Sequence, residues 1–257
     1  MKFYGQKEII DELTILSKKV LVGNNYNILI KGKSGSGKTT LAKMFLSWIV
    51  SYNNGIIILP QADQEFSESF KEKRFIIIDE VHELTKPEWI YPYLDRGDRT
   101  FILVTNESGE LKEPLVNRCI PLTLKPYTRD ELYWIAQNNI KKGIKLTPEM
   151  VWRIVEVGKE NPRIIKLNIC KRLKYVIEKS PESFEEFESY LNKIGYIDGL
   201  DPLEKEYLKV LNQLGGVASL TLLCSALHLS RNTLTRDVEP FIVGKYIDIT
   251  SKGRILK

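Results

Sequence analysis

At 257 residues, with 43% hydrophobic and 28% charged residues, the chain is long enough for one large core or two to three smaller ones and too rich in aliphatics to be disordered. A net charge of +5 and a pI near 8.9 favour polyanionic partners without singling one out. Cys119, Cys170 and Cys224 lie far apart without paired metal-ligand spacing, which argues against a disulfide framework or zinc site and for a reducing compartment.

Met1 to Lys7 is polar and charged where a signal segment would be apolar, and no apolar run approaches the ~18 residues of a membrane span. A soluble cytoplasmic protein with no membrane partner is therefore expected. From Gln6 to Val20 the residues Ile9, Leu13, Leu16 and Val20 recur at helical spacing, predicting one buried helix face. Tyr26 to Ile30 reads as a central strand. The stretch that follows, Gly32 to Thr39, reads Gly-Lys-Ser-Gly-Ser-Gly-Lys-Thr and fits the phosphate-binding loop pattern at every required position. Gly32, Gly35 and Gly37 let the backbone curl so that the N–H groups around Ser34, Ser36 and Thr40 point inward at phosphate. The helix beginning near Lys38 adds its positive dipole end. Lys38 is placed to reach the β- and γ-phosphates and Thr39 to ligate Mg²⁺. ATP and Mg²⁺ are the cofactors this implies; a plain glycine-rich turn is the alternative.

That helix is expected to run to about Ser51, with a strand at Ile56 to Leu59, a short surface helix at Gln64 to Lys73 and a strand at Phe75 to Ile78. After a helical stretch around Pro87 to Leu94 comes another strand, Thr100 to Thr105. Strands alternating with helices give a parallel sheet with ligands at the carboxyl ends of its strands. Asp79-Glu80 falls at such an end. Asp79 there is suited to the Mg²⁺ shell and Glu80 to orienting the attacking water, unless the pair simply marks a loop. Asn106, closing the next strand, is suited to the γ-phosphate or that water, or else starts a turn.

Phosphate loop, Asp-Glu pair, polar strand end and then Pro114-Leu115-Val116-Asn117-Arg118-Cys119 resemble the AAA+ ATPases. The resemblance implies that Arg118 is a finger inserted into a neighbouring subunit's site, so that hydrolysis depends on assembly; a surface arginine after a helix is the alternative. From Thr128, the N-cap of a predicted capping box with Glu131, helices dominate: about Thr128 to Lys142, Thr147 to Val157, Asn161 to Ile177, and one after Ser183. This resembles the AAA+ helical lid. Arg163 matches the second sensor arginine, which touches the γ-phosphate held by its own subunit. A basic residue in a helical first turn opposes the dipole, which favours a ligand over an ordinary solvated arginine.

The tail predicts a helix from Asp201 to near Leu214, a second at Ser219 to Leu227, a third N-capped by Ser230, and a hairpin over Ile247 to Leu256, together a winged helix. Gly199-Leu200-Asp201, Glu239-Pro240-Phe241 and Thr250-Ser251-Lys252-Gly253-Arg254 resemble the RuvB family of Holliday-junction branch-migration motors. So do Tyr4-Gly5-Gln6, Asp79-Glu80-Val81-His82 and Tyr127-Thr128. That resemblance places Tyr4, Gly5 and Tyr127 near the adenine, with core tyrosines as the alternative. It also implies a homo-oligomer, a hexamer or helical assembly. RuvB carries a long β-hairpin between the Asp-Glu strand and the next, which docks RuvA; Pro92 to Thr100 is too short to hold one. A protein partner other than RuvA is therefore expected.

Arg231 and Arg236 on the third helix, with Lys252 and Arg254 in the wing, form a candidate face for duplex or branched DNA without sequence preference; a protein-binding wing is the alternative. His82 and His228 are expected to be structural. The expected architecture is an AAA+ α/β ATPase domain at residues 1–125, a helical lid at 126–197 and a winged helix at 198–257. The expected function is ATP hydrolysis coupled to DNA translocation or remodelling, with a non-translocating ATP switch, such as a helicase loader or recombinase adaptor, as the alternative.

Overall fold

The computed structural model describes residues 3–50, 55–58, 73–106 and 111–257. The expected helix at Gln64 to Lys73 lies almost wholly outside them, as do Ser51 to Asn54 and Leu59. Two compact units are present, one of Met1–Asn139 with Gly158–Asn168, the other of Ile140–Val157 with Ile169–Lys257.

The first unit is built on a five-stranded parallel sheet in the order β2-β3-β4-β1-β5. The strands are β1 Asn27–Lys31, β2 Gly55–Ile58, β3 Phe75–Ile78, β4 Thr100–Thr105 and β5 Ile120–Thr123. Side chains alternate between two buried faces, as they must in a parallel sheet covered on both sides. Ile28, Ile30, Ile77, Ile102 and Val104 face a core completed by the helices Lys7–Leu21 and Lys38–Ile49. Leu29, Ile76, Ile78, Phe101 and Leu103 face a second core that includes Ile90, Leu94 and Leu115.

β5 is not foreshadowed by the sequence pattern because Pro121 interrupts it. Proline cannot donate to a ladder, but among the described residues β5 pairs with β1 alone, at the edge of the sheet, so the missing N–H costs no bond. Between β3 and β4 the chain forms short 3₁₀ turns at Val81–Glu83 and Pro87–Ile90 and the helix Tyr91–Arg96, with no strand among residues 79–99. The expected absence of a hairpin there matches this connection.

The capping box at Thr128 is formed: Thr128 N–H donates to Glu131 Oε2 at 2.8 Å and Glu131 N–H to Thr128 Oγ1 at 3.2 Å. Its helix is shorter than expected, Arg129–Asn139. The helix expected at Asn161 to Ile177 is interrupted in kind, being π-helical at Ile164–Cys170 and α-helical at Lys171–Val176.

In the second unit, Asp201 caps the helix Pro202–Gln213 through a full capping box, and Ser219 caps Leu220–Leu227. Ser230 caps a helical run that is α at Arg231–Thr233, π at Leu234–Val238 and α at Glu239–Ile242. Strands β7 Ile247–Thr250 and β8 Gly253–Leu256 pair antiparallel, and β8 also pairs with β6, Val217–Ala218. Tyr207, Leu211, Leu223, Leu234, Val238, Ile242 and Ile247 fill the core of this winged helix.

Candidate nucleotide site and nucleic-acid face

β3, β4 and β1 are neighbours, so their carboxyl ends bring three sequence-distant segments to one edge. After β1 the chain turns through Gly35 and Gly37 at φ 79° and 96°, left-handed values that glycine adopts without strain. A Cβ on Gly35 would lie 2.5 Å from Asn161 Oδ1, so the close approach of these segments also demands glycine. Lys38 is buried, and its Nζ donates to the carbonyls of Gly32 at 2.8 Å and Lys33 at 3.0 Å, which folds the amine across the loop. Ser36 Oγ is buried without a hydrogen-bond partner among the described residues. A buried hydroxyl left over beside glycines held open fits a phosphate group, which would supply the acceptor. Ser34 is exposed, and Thr40 is half-buried in the first helical turn.

Thr39 Oγ1 donates to Asp79 Oδ2 at 2.8 Å, which places the hydroxyl and carboxylate expected of a Mg²⁺ site side by side. Both are oxygen ligands of the hard type Mg²⁺ prefers, and one or two protein groups suffice beside phosphate oxygens and water. Glu80 follows with φ 53°, a sparsely populated backbone for a non-glycine residue, held by its N–H to Asp79 Oδ1 at 3.2 Å. Its Oε2 is buried and lies 3.6 Å from His82 Nδ1. His82 also reaches Thr105 Oγ1 at 3.1 Å and, through Nε2, Asn106 Nδ2 at 3.2 Å. His82, expected to be structural, is held by these bonds, and its ring stands between Glu80 and Asn106.

The residues expected near the adenine cluster as well. Tyr127 Oη donates to the Ser36 carbonyl at 2.8 Å, and burial, with Glu131 nearby, raises its phenol further above the ordinary range and keeps it protonated. A Cβ on Gly5 would lie 3.1 Å from the Tyr127 ring, and one on Gly37 would lie 3.2 Å from that of Phe3. Tyr4 is half-buried beside them. Gln6, buried, pairs its amide with the Lys125 backbone, donating to the carbonyl at 2.7 Å and accepting from the N–H at 3.0 Å. Phe3 thus joins these residues, and Gln6, part of the Tyr4-Gly5-Gln6 motif, does so through a buried amide that the motif does not announce. A polar residue at the head of an amphipathic helix gives no hint that its amide is buried.

Asn161 Oδ1 accepts from the N–H groups of Arg163 at 2.9 Å and Ile164 at 3.4 Å. Arg163 is exposed, and its Cβ would be 3.1 Å from a Cβ on Gly35, so the arginine springs from backbone lying against the phosphate loop. Arg118 is not brought to this cluster. Its guanidinium forks onto Asp95, Nε to Oδ1 at 2.8 Å and Nη2 to Oδ2 at 3.2 Å, while Nη1 donates to the Pro114 carbonyl at 2.8 Å. It also lies 4.7 Å from the Tyr91 ring centroid.

On the winged helix, Arg236 and Lys252 are exposed, and Arg231, also exposed, donates to Thr221 Oγ1 at 2.9 Å. Arg254 is different, and its expected DNA role is corrected. Its Nε and Nη2 donate to Glu239 Oε1 and Oε2 at 2.8 and 3.1 Å, and Tyr207 Oη donates to Oε1 at 2.9 Å. The two charged side chains are only 14% and 5% exposed, so this arginine braces the wing from within. The adjoining Gly253 is required because a Cβ there would meet the Ala218 carbonyl oxygen at 2.4 Å.

Residues 182–257 match the RuvB C-terminal winged helix domain. Over 291 aligned positions, covering 99% of this chain and 92% of the relative, the chain is 26% identical to the Holliday junction branch migration complex subunit RuvB of Mycoplasma pneumoniae. It is 28% identical to that of Rhodopirellula baltica, covering 98% of this chain and 78% of the relative. The fold is similar to that of the Thermotoga maritima RuvB Holliday junction branch migration motor, with TM-score 0.72, 24% identity and coverage of 99% and 93%. Domain III of the replication initiation protein DnaA from the same organism is also similar, with TM-score 0.58 and 19% identity over 74% of this chain and 92% of that one. The chain has the AAA+ P-loop fold with a C-terminal winged helix and resembles RuvB along nearly its whole length.

Proposed function

We propose that this RuvB-like chain is an ATP-hydrolysing AAA+ motor that assembles from several copies on duplex or branched DNA and couples hydrolysis to translocation or remodelling of that DNA. The observation that carries the reading is the meeting of Lys38, Thr39, Asp79, Glu80 and Asn106 at the ends of the adjacent strands β1, β3 and β4. Lys38 and the loop N–H groups hold the triphosphate, Tyr4, Gly5 and Tyr127 line the adenine side, and Arg163 meets the γ-phosphate from its own subunit. Thr39 and Asp79 hold Mg²⁺, which neutralises charge on the β- and γ-phosphates. Glu80 orients the attacking water and accepts its proton, and Asn106 positions the γ-phosphate and that water. Arg118 acts on the neighbouring subunit's nucleotide.

The three-domain division at residues 125 and 197 assigns these tasks to the ATPase domain and lid, and leaves DNA contact to the wing through Arg231, Arg236 and Lys252. The protein works in the cytoplasm in a ring or helical assembly. The strand-free connection between β3 and β4 favours a protein partner other than RuvA. The test is ATPase activity with and without a synthetic four-way junction, together with migration of that junction. Junction-stimulated hydrolysis and strand exchange, both abolished in Lys38→Ala, are expected. Hydrolysis that recruits another protein to DNA without moving the junction would replace the motor with an ATP switch, and no hydrolysis at all would overturn both.

A further inference from the structure

The most informative group outside the assigned roles is the imidazole of His82. It is one of only two histidines in the chain and sits on the turn directly after the Asp79-Glu80 pair. Its two ring nitrogens face opposite ways and have partners on both sides. Asn106 Nδ2 can only donate, so the tautomer that satisfies this 3.2 Å contact has Nε2 as acceptor and Nδ1 as donor. Nδ1 then donates to Thr105 Oγ1 at 3.1 Å, and Thr105 Oγ1 donates onward to the Asn106 carbonyl at 3.2 Å. These bonds close a ring that fixes the imidazole plane at the end of β4. The same Nδ1 lies within 3.6 Å of Glu80 Oε2, a carboxylate oxygen that is buried and without a hydrogen-bond partner among the described residues.

At 3.6 Å the Glu80 contact is longer than a hydrogen bond, while Thr105 is within bonding distance. Glu80 and Thr105 thus compete for one proton. A small rotation of the carboxylate toward the ring would satisfy the orphaned oxygen and draw Glu80 away from a water on its other side. We propose that His82 is a positioning residue that couples the orientation of Glu80 to the engagement of Asn106, so that Glu80 is aimed at water only when Asn106 holds the γ-phosphate. The inference rests on the reading of Glu80 as the hydrolytic base. A single rigid ring reaches both groups, although Glu80 and Asn106 come from the ends of different strands.

The test is steady-state ATPase kinetics of the full chain with junction DNA, alongside MgATP affinity measured with a fluorescent nucleotide. His82→Ala should lower kcat about 10- to 100-fold, the usual cost of losing an orienting partner, with KM and MgATP affinity changed by less than about two-fold. His82→Gln, which keeps one donor and one acceptor, should recover part of the loss. Combined with Asn106→Ala, His82→Ala should cost no more than the worse single change, because both cut the same connection. Unchanged kcat, losses that multiply, or a joint fall in kcat and nucleotide affinity would each overturn the proposal. Should His82→Ala not fold, His82→Gln and its combination with Asn106→Ala are read by the same criteria. Glu80→Gln is the control. If it turns over normally, the hydrolytic reading fails; if it is inactive while the His82 variants are normal, only the coupling fails.

Discussion

Thr39 donates its hydroxyl proton to Asp79 across 2.8 Å, joining the first turn of the helix after β1 to the end of β3. If Thr39 and Asp79 are the Mg²⁺ ligands proposed above, the bond holds both oxygens at one point before any metal arrives. Thr39→Ala removes a ligand and frees the carboxylate, and should reduce Mg²⁺-dependent ATPase roughly 100-fold or more. Thr39→Ser keeps the hydroxyl and should retain most of the activity. Chelation with EDTA should silence the wild type, and titrating Mg²⁺ back should show a right-shifted response only for Thr39→Ala.

Glu80 is held in a left-handed backbone conformation with one buried carboxylate oxygen, a costly arrangement that the neighbouring structure must impose. Glu80→Gln preserves size but cannot accept a proton. Turnover should fall by about 100- to 10,000-fold, with MgATP affinity unchanged. Because ATP is bound but not consumed, sedimentation should show assemblies that persist in ATP where those of the wild type decay.

Arg118 forks onto Asp95 within its own subunit. Asp95 lies on the helix Tyr91–Arg96, which also supplies the Tyr91 ring under the guanidinium, and the contact fixes the arginine against the surface of its own chain. If Arg118 serves the neighbour, Arg118→Ala should lose about 1,000-fold or more in turnover while still binding ATP. Mixing Arg118→Ala with Lys38→Ala should then restore activity that neither variant has alone, since one supplies an intact pocket and the other an intact arginine. Mixtures that stay inactive would argue against action between subunits.

The phosphate loop, the Asp79-Glu80 pair and the end of β4 are legible in sequence because each lies at the edge of a short, wholly apolar run, a pattern that survives without tertiary context. β5 is not, because Pro121 is tolerated only by virtue of its edge position, and edge position is a property of the finished sheet. The pairings of Gln6 and His82, two residues that sequence motifs do contain, escape for a related reason. Their partners, Lys125 and Asn106, are far away in sequence, and only the fold shows that these polar side chains are enclosed and paired. Arg254 misleads in the opposite sense: a basic residue in a wing fits a DNA contact until the buried Glu239 beneath it is seen.

Burial pushes the thiols of Cys119 and Cys170 up to about 12 from an ordinary value of 9.0. A raised folded value means that the folded chain keeps these protons while the unfolded chain releases them. Their contribution to stability is complete below about pH 9 and is lost as pH rises toward 12. Denaturant midpoints should therefore decline over that interval, and less so in Cys119→Ser/Cys170→Ser. At pH 8 an aromatic disulfide reagent should modify the buried Cys170 only after unfolding and the half-buried Cys119 slowly before it.

Arg254 and Glu239 form a nearly enclosed ion pair joined by Tyr207, so the basic residues of the wing divide into one that holds it together and others that are open to solvent. Arg254→Ala strands a buried carboxylate and should cost the wing about 3–5 kcal/mol, seen as an early thermal transition. Replacing Glu239 and Arg254 together with apolar residues of similar volume should be far less damaging, because no charge is left unpaired. Arg236→Ala and Lys252→Ala should leave the thermal transition in place. Each should instead lower the slope of log affinity against log salt for duplex DNA by roughly one. If either leaves that slope unchanged, its side chain does not meet phosphate, and the DNA face lies elsewhere on the assembly.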